Sequence, residues 1–238
     1  SLAELSIPGT HESCARYGAN FDTPRPTSGI NASEFWKCQN ADLSEQLKMG
    51  IRYLDIRCRR VGSLFKIYHG PIYQRMNFQD VIDICETFLR ENPSETIILK
   101  TQEEQTDYMI QEGTDTFSNI FDFYTKRHNL LFYQMPTSGK TIIPTLGDVR
   151  GKIVLLNRFK HSTGSAAAGI HIDFADNTTS NHQLSVSEQL RVQDVYKVKD
   201  AKEKLNPFLA LLMFSNNTFL VDSISTSNSE NNFLFFTE

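Results

Sequence analysis

Apolar, strand-like runs in this chain repeatedly stop at a side chain that carries a charge or can trade a proton. That repetition constrains the fold more than any other feature. His11 follows Leu5–Ile7, Arg57 stands at the end of Tyr53–Cys58 and His69 follows Phe65–Tyr68. Lys100 ends Thr96–Lys100, and Arg158 follows Lys152–Asn157. The first run is expected to stop at Pro8 and Gly9, and the fifth is apolar almost throughout, as a strand buried on both faces should be. Helical signals fall between these runs. Leu43–Met49 reads as a helix, with Gly50 placed to end it. Phe78, Val81, Ile82, Cys85, Phe88 and Leu89 recur at three- and four-residue spacing, which predicts a helix over 78–91 stopped by Asn92 and Pro93. A helical stretch is expected near 114–128, and further strands at Val192–Val195 and Phe233–Phe236. Strands alternating with helices argue for a mostly parallel α/β arrangement.

The 238 residues suit one α/β-barrel domain over 1–238, since such barrels run to about 250 residues. The fold class expected is a TIM-type (β/α) barrel. Its strands count to seven where eight are needed, so the barrel reads as incomplete at the last strand. Seventeen Phe and eight Tyr supply large apolar side chains for the core. A net charge of -4 argues against nucleic acid as a partner and against a general attraction to anionic lipid. No run of about 18 apolar residues is present to span a bilayer. Cys14, Cys38, Cys58 and Cys85 fit no zinc spacing. Cys58 and Cys85 read as buried thiols, whereas Cys14 and Cys38 lie in loop-like stretches and are candidates to pair. Sequons at Asn31, Asn177 and Asn216 hint at secretion.

In a barrel of this kind, side chains at the C-terminal strand ends meet at one mouth. Two imidazoles there can divide the work of general base and general acid. Arg57 offers a fork for two phosphoryl oxygens, and Lys100 and Arg158 add positive charge. Cleavage of a phosphate ester by an internal hydroxyl suits this set and needs neither metal nor cofactor. Singly, each residue has a structural alternative: Arg57 could pair with Asp55, Lys100 could be a solvated strand end, and both histidines could serve turns. The shared placement favours chemistry. His128, His161, His171 and His182 lack it and are expected at the surface.

Six segments carry a family resemblance. Ser6-Ile7-Pro8-Gly9-Thr10-His11-Glu12-Ser13, Tyr53-Leu54-Asp55-Ile56-Arg57 and His69-Gly70-Pro71 come first. Asn92-Pro93-Ser94-Glu95-Thr96 leading to Lys100, Gly151–Leu156 with Arg158, and Val192–Val198 follow. In this order they resemble the bacterial-type phosphatidylinositol-specific phospholipases C, across nearly the whole chain. The resemblance implies that His11 takes the proton of the inositol 2-hydroxyl, that His69 protonates the departing diacylglycerol oxygen, and that Arg57 binds phosphate. Inositol 1,2-cyclic phosphate would be the first product. Asp55 would orient Arg57 or the nearby site. Lys100, Arg158, Asp176 and Asp194 would hydrogen-bond inositol hydroxyls, and Tyr196 would stack on the ring. Metal-dependent relatives hold calcium with a carboxylate at the position of Arg57, so a guanidinium there implies metal independence. Trp36, beside Phe35, reads equally as a bilayer contact or a partly buried core residue. Implied partners are phosphatidylinositol at a membrane surface and glycosylphosphatidylinositol anchors, met by a secreted monomer.

The sequence departs from the family in three places. Glu12 stands where relatives place Asp, a change expected to weaken activity. Phe174 stands where they often have Trp. An eighth strand, whose Asp orients the general-base histidine, is not found before Glu238, and Asp222 is a weak substitute. A binding module that keeps the basic pocket without turnover is therefore the alternative reading. A metal-dependent phosphodiesterase on the same barrel is disfavoured by Arg57.

Overall fold

A computed structural model describes residues 1–5, 7–18, 36–104, 115–135, 143–160, 169–185 and 188–195, together with the backbone of 218–224 and 233–236. Phe35, Tyr196 and His161 lie outside the described residues.

One parallel run organises the molecule. Strands β1 (Ile7–Thr10), β2 (Tyr53–Val61), β3 (Leu64–His69), β4 (Ile72–Asn77), β5 (Ile97–Glu103), β6 (Ile153–Arg158) and β7 (Ile170–His171) fill its first part. Of these, β1, β2, β5, β6 and β7 pair in parallel, side by side. The second part holds β8 (Thr179–Gln183), β9 (Gln189–Gln193), β10 (Thr218–Ile224) and β11 (Phe233–Phe236). The sheet order is β7-β6-β5-β2-β1-β11-β10-β9-β8. Strand β11 lies antiparallel between β1 and β10, and β8 antiparallel to β9. Among the described residues no ladder joins β7 to β8, so this TIM-type sheet stays open there.

Helices α1 (Leu43–Lys48), α2 (Phe78–Glu91), α3 (Phe117–Arg127) and α4 (Leu146–Val149) accompany the strands. Asp42 caps α1 in a reciprocal pair with Glu45, satisfying two otherwise orphaned N–H groups. Gly50 ends it at φ +99, a conformation costly for any residue with a Cβ. Helix α2 turns Phe78, Val81, Ile82, Cys85 and Leu89 inward. They join Phe65, Phe121, Tyr124 and Phe132 in the larger core cluster, with Phe65 stacked 5.8 Å from Tyr124. A second cluster gathers Tyr53, Ile98, Val154 and Leu156 around Leu190 and Val192.

Several elements differ from expectation. Pro8 and Gly9 do not stop β1 but form it. The Pro8 carbonyl accepts from the Arg52 N–H at 2.9 Å, and Gly9 packs so tightly on Tyr53 that a Cβ would sit 2.7 Å from the Tyr53 Cβ. The run at 65–68 is not a barrel stave. Strand β2 continues past Arg57 to Val61 and folds back through β3 and β4, an antiparallel branch off the main path. Strand β9 begins three residues before Val192. Cys14 and Cys38 are brought close by the bond from the Cys38 N–H to the Ala15 carbonyl, 2.8 Å, yet all four cysteines are free and buried. No helix among the described residues is long and apolar enough to cross a membrane.

Candidate active site

Alternation along two neighbouring strands builds the site. Side chains two apart share a face of a strand, so β2 presents Asp55, Arg57 and Arg59 together, and β5 presents Lys100, Gln102 and Glu104, the last just past its end. The register sets Asp55 opposite Lys100 and Arg57 opposite Gln102. Lys100 is thus interior to β5 rather than at its end.

Asp55, 1% exposed, is the hub. Its Oδ1 lies 3.0 Å from Lys100 Nζ, and its Oδ2 lies 3.3 Å from His11 Nδ1 and 3.6 Å from Arg57 Nη2. The Glu12 N–H reaches the same Oδ2 at 3.3 Å, and the Ser13 hydroxyl accepts from the Asp55 N–H at 2.9 Å. Burial pushes this carboxyl up, but Lys100 and Arg57 outweigh it and hold Asp55 well below the usual carboxylate range. An ionised Asp55 can only accept, so His11 carries its proton on Nδ1 and turns the Nε2 lone pair to the cleft. Burial lowers the His11 pKa further than Asp55 raises it, and Arg57 adds to the lowering.

Arg57 lies among three carboxylates. Its Nη1 is 2.8 Å from Glu12 Oε1 and 3.6 Å from Glu104 Oε2. Burial alone would lower its pKa, but Glu12, Asp55 and Glu104 together raise it well above the guanidinium value. Glu12 sits at φ +44, an uncommon conformation for Glu, directly after His11. Burial pushes its carboxyl well up against the pull of Arg57. The same Oε1 lies 3.4 Å from His69 Nε2.

His69, at the end of β3, is held from its other side. Its Nδ1 is 2.9 Å from the Trp36 carbonyl and 3.6 Å from Cys38 Sγ. A carbonyl only accepts, so the proton is on Nδ1 and Nε2 faces Glu12. Burial first, then Arg57, pulls its pKa down to about 3. The Trp36 ring meets the imidazole edge-on, centroids 5.2 Å apart.

Arg158, Asp176 and Asp194 form a further group. Arg158 Nη1 donates to Gln102 at 3.0 Å and Nη2 to the Phe174 carbonyl at 3.0 Å, with the guanidinium 3.8 Å above the Phe174 ring. Asp176 is 3.8 Å from Arg158 but 63% exposed. Burial raises the carboxyl pKa of Asp194. His11, Asp55, Arg57, Lys100, Phe174 and Asp194 line one cleft together with Tyr53 and Val192. The structure brings these predicted residues together and leaves His171 exposed and His128 on Gln79, outside the cleft.

A family model described as phosphatidylinositol-specific phospholipase C, X domain, matches residues 29–159, more than half of the chain. The chain belongs to the phosphatidylinositol-specific phospholipase C X-domain family. It is 38% identical over 164 residues to the 1-phosphatidylinositol phosphodiesterase of Listeria monocytogenes, covering 66% of this chain and 45% of that protein. It is 32% identical over 207 residues to the enzyme of the same name from Staphylococcus aureus, covering 82% of this chain and 61% of that one. The chain thus spans about half the length of these relatives. A solved structure of phosphatidylinositol-specific phospholipase C from S. aureus superposes with a TM-score of 0.77 at 28% identity, covering 97% of this chain and 77% of that one. The L. monocytogenes enzyme superposes with a TM-score of 0.72 at 29% identity, covering 94% and 74%.

Three positions escaped the sequence reading. Glu104, Ser13 and Gln39 all support the site, Gln39 by donating to the His11 carbonyl at 2.7 Å. Glu104 had a signal: it continues the two-residue spacing from Lys100. Ser13 lies within the first family-like segment, and Gln39 had no signal, because its partner is fixed only by tertiary contact.

Proposed function

We propose that this chain is a catalytic barrel domain that cleaves phosphatidylinositol to diacylglycerol and inositol 1,2-cyclic phosphate. The observation that carries this reading is the pair of imidazoles on either side of Arg57, each with its Nδ1 engaged and its Nε2 turned inward. His11 Nε2 takes the proton of the inositol 2-hydroxyl. The freed oxygen attacks phosphorus, and the ester bond to diacylglycerol breaks. Arg57 and Lys100 balance the charge that develops on the phosphoryl oxygens. Asp55 steadies the imidazolium that His11 becomes.

The leaving oxygen takes its proton from His69. In the free site His69 is neutral, since its pKa is pulled down to about 3. Glu12, whose carboxyl is pushed up by burial, lies within 3.4 Å of the His69 Nε2. An arriving phosphodiester anion offsets Arg57 and raises His69, so Nε2 takes up a proton as the substrate seats. Glu12 differs from Asp55 in meeting its imidazole at Nε2 rather than at Nδ1. Its extra methylene carries Oε1 to both Arg57 and His69.

Lys100, Arg158, Asp176 and Asp194 serve the inositol hydroxyls in this reading, and Tyr196 the ring face. The substrate lies at a membrane surface, with Trp36 and Phe35 as interface residues in this reading. Glycosylphosphatidylinositol anchors present the same inositol phosphate to a secreted, monomeric enzyme.

Phosphatidylinositol vesicles with excess EDTA, followed by phosphorus NMR, test the proposal. A cyclic phosphodiester resonance that appears despite the chelator, and is lost in His11→Ala, is the expected result. Vesicle binding without turnover would replace this reading with that of an inositol-lipid-binding relative.

A further inference from the structure

The turn after His69 is gripped from three sides, by Glu104, Arg59 and Trp36. Gly70 sits at φ +51, and its N–H donates to Glu104 Oε1 at 2.9 Å. Its carbonyl accepts from Arg59 Nη2 at 2.7 Å. Trp36 closes the third side, so near that a Cβ on Gly70 would stand 2.5 Å from its ring. Both gripping residues are themselves anchored. The Arg59 guanidinium lies 4.1 Å over the Tyr68 ring, and the Glu104 N–H donates to the Cys58 carbonyl at 2.7 Å.

Glu104 has a second oxygen, 3.6 Å from Arg57 Nη1. Arg57 reaches Glu12, and Glu12 reaches His69, the residue before Gly70. The contacts therefore close a ring: Glu104, Gly70, His69, Glu12, Arg57 and back to Glu104. A group in such a ring cannot tilt without stretching a charged contact elsewhere in it, and this is how a surrounding shell fixes the orientation of a reacting side chain. We infer that Glu104, acting with Arg59 on the peptide groups of Gly70, is a positioning residue that holds the His69 imidazole in register with Arg57, so that proton delivery and phosphate binding act on one substrate. This inference rests on the reaction proposed above for its kinetic consequence, while the clamp itself is independent of it.

Leaving-group chemistry separates such a role from a merely structural one. A diacylglycerol oxygen needs a proton to depart, whereas a nitrophenolate departs without one. Glu104→Ala is expected to lower kcat on phosphatidylinositol by about tenfold or more, part of the ~10²–10⁴ that general acid catalysis supplies. Turnover of a nitrophenyl inositol phosphodiester should change less than about threefold, within the spread of contacts that miss the chemistry. Glu104→Gln keeps an oxygen for the Gly70 N–H and should restore most of the loss on the lipid. Equal losses on both substrates, no loss on either, or a Gln variant as poor as Ala would each overturn the inference. Should Glu104→Ala fail to fold, Arg59→Lys, whose shorter reach releases the Gly70 carbonyl, takes its place in the same comparison. Wild-type protein inactive on both substrates would defeat the proposed reaction but not the clamp. In that case the ring nitrogen NMR signals of His69 decide: a shift in Glu104→Ala that Glu104→Gln does not share supports the clamp, and identical spectra overturn it.

Discussion

Replacing Asp55 by Asn tests the centre of the site, because one carboxylate serves three partners there. The amide matches its shape, yet it cannot balance charge, and its NH2 can only donate. If the NH2 faces His11 Nδ1, now 3.3 Å from Asp55 Oδ2, the imidazole must accept at Nδ1 and carry its proton on Nε2. The general base then has no lone pair toward the substrate. A comparable tautomer reversal costs about 10⁴ in turnover, so kcat on phosphatidylinositol vesicles should fall by ~10³ to 10⁴. Stability should fall as well. Arg57 keeps Glu12 at 2.8 Å, so the loss falls mainly on buried Lys100, 3.0 Å from Asp55. Removing one member of a buried pair costs about 3–5 kcal/mol, and the lower end applies because burial already lowers the Lys100 pKa and eases its neutralisation. At about 2–4 °C per kcal/mol for a chain of this size, Tm should drop by roughly 6–12 °C. The sign of the pH dependence follows. A lysine with a folded pKa below its unfolded value binds fewer protons when folded, so raising the pH stabilises the fold. Loss of Asp55 lowers that pKa further, so the Tm gap between variant and wild type should narrow toward alkaline pH. Steady-state kinetics with a thermal scan at two pH values checks all three. Turnover within tenfold of wild type would refute the orientation of His11 by Asp55, and a Tm change below about 2 °C would refute the burial argument.

Gly9→Ala would drive a Cβ to 2.7 Å from the Tyr53 Cβ and 2.8 Å from its Cδ1. Overpacking of this kind costs about 1–3 kcal/mol, so a thermal scan should show Tm lower by several degrees, and an unchanged Tm would mean that β1 and β2 have room to part. His69, with its pKa pulled from 6.5 down to about 3, binds a proton in the unfolded chain before it does so in the folded one. Its contribution to stability is full above pH 6.5 and is lost as pH falls toward 3, at up to about 1.4 kcal/mol per pH unit. Urea unfolding across that window should show this slope in wild type and a shallower one in His69→Gln.

The shared polar face was legible in the sequence because it rides on local periodicity. A strand exposes every second residue to one face whatever surrounds it, so Asp55 with Arg57, and Lys100 four residues before Glu104, announce a shared polar face from spacing alone. Helix α2 was legible for the same reason, its apolar positions recurring with the turn of the helix. The strand count was less so. Pro8 and Gly9 look like a stop, and only the approach of Tyr53 shows why a residue without a Cβ must stand within β1. Strand β4, with Tyr73 and Arg75 outward, has no apolar run to mark it, and its pairing with β3 turned an expected stave into a side branch. The sequence alone therefore determined which residues could meet an anion and roughly where strands and helices lie. Tertiary structure alone decided that one buried carboxylate, Asp55, would gather His11, Lys100 and Arg57 about itself, and that Glu104 would join Arg57 to the turn behind His69. Those links run between residues far apart in the chain, and their energies depend on burial and on distances of a few ångströms, which no local pattern encodes.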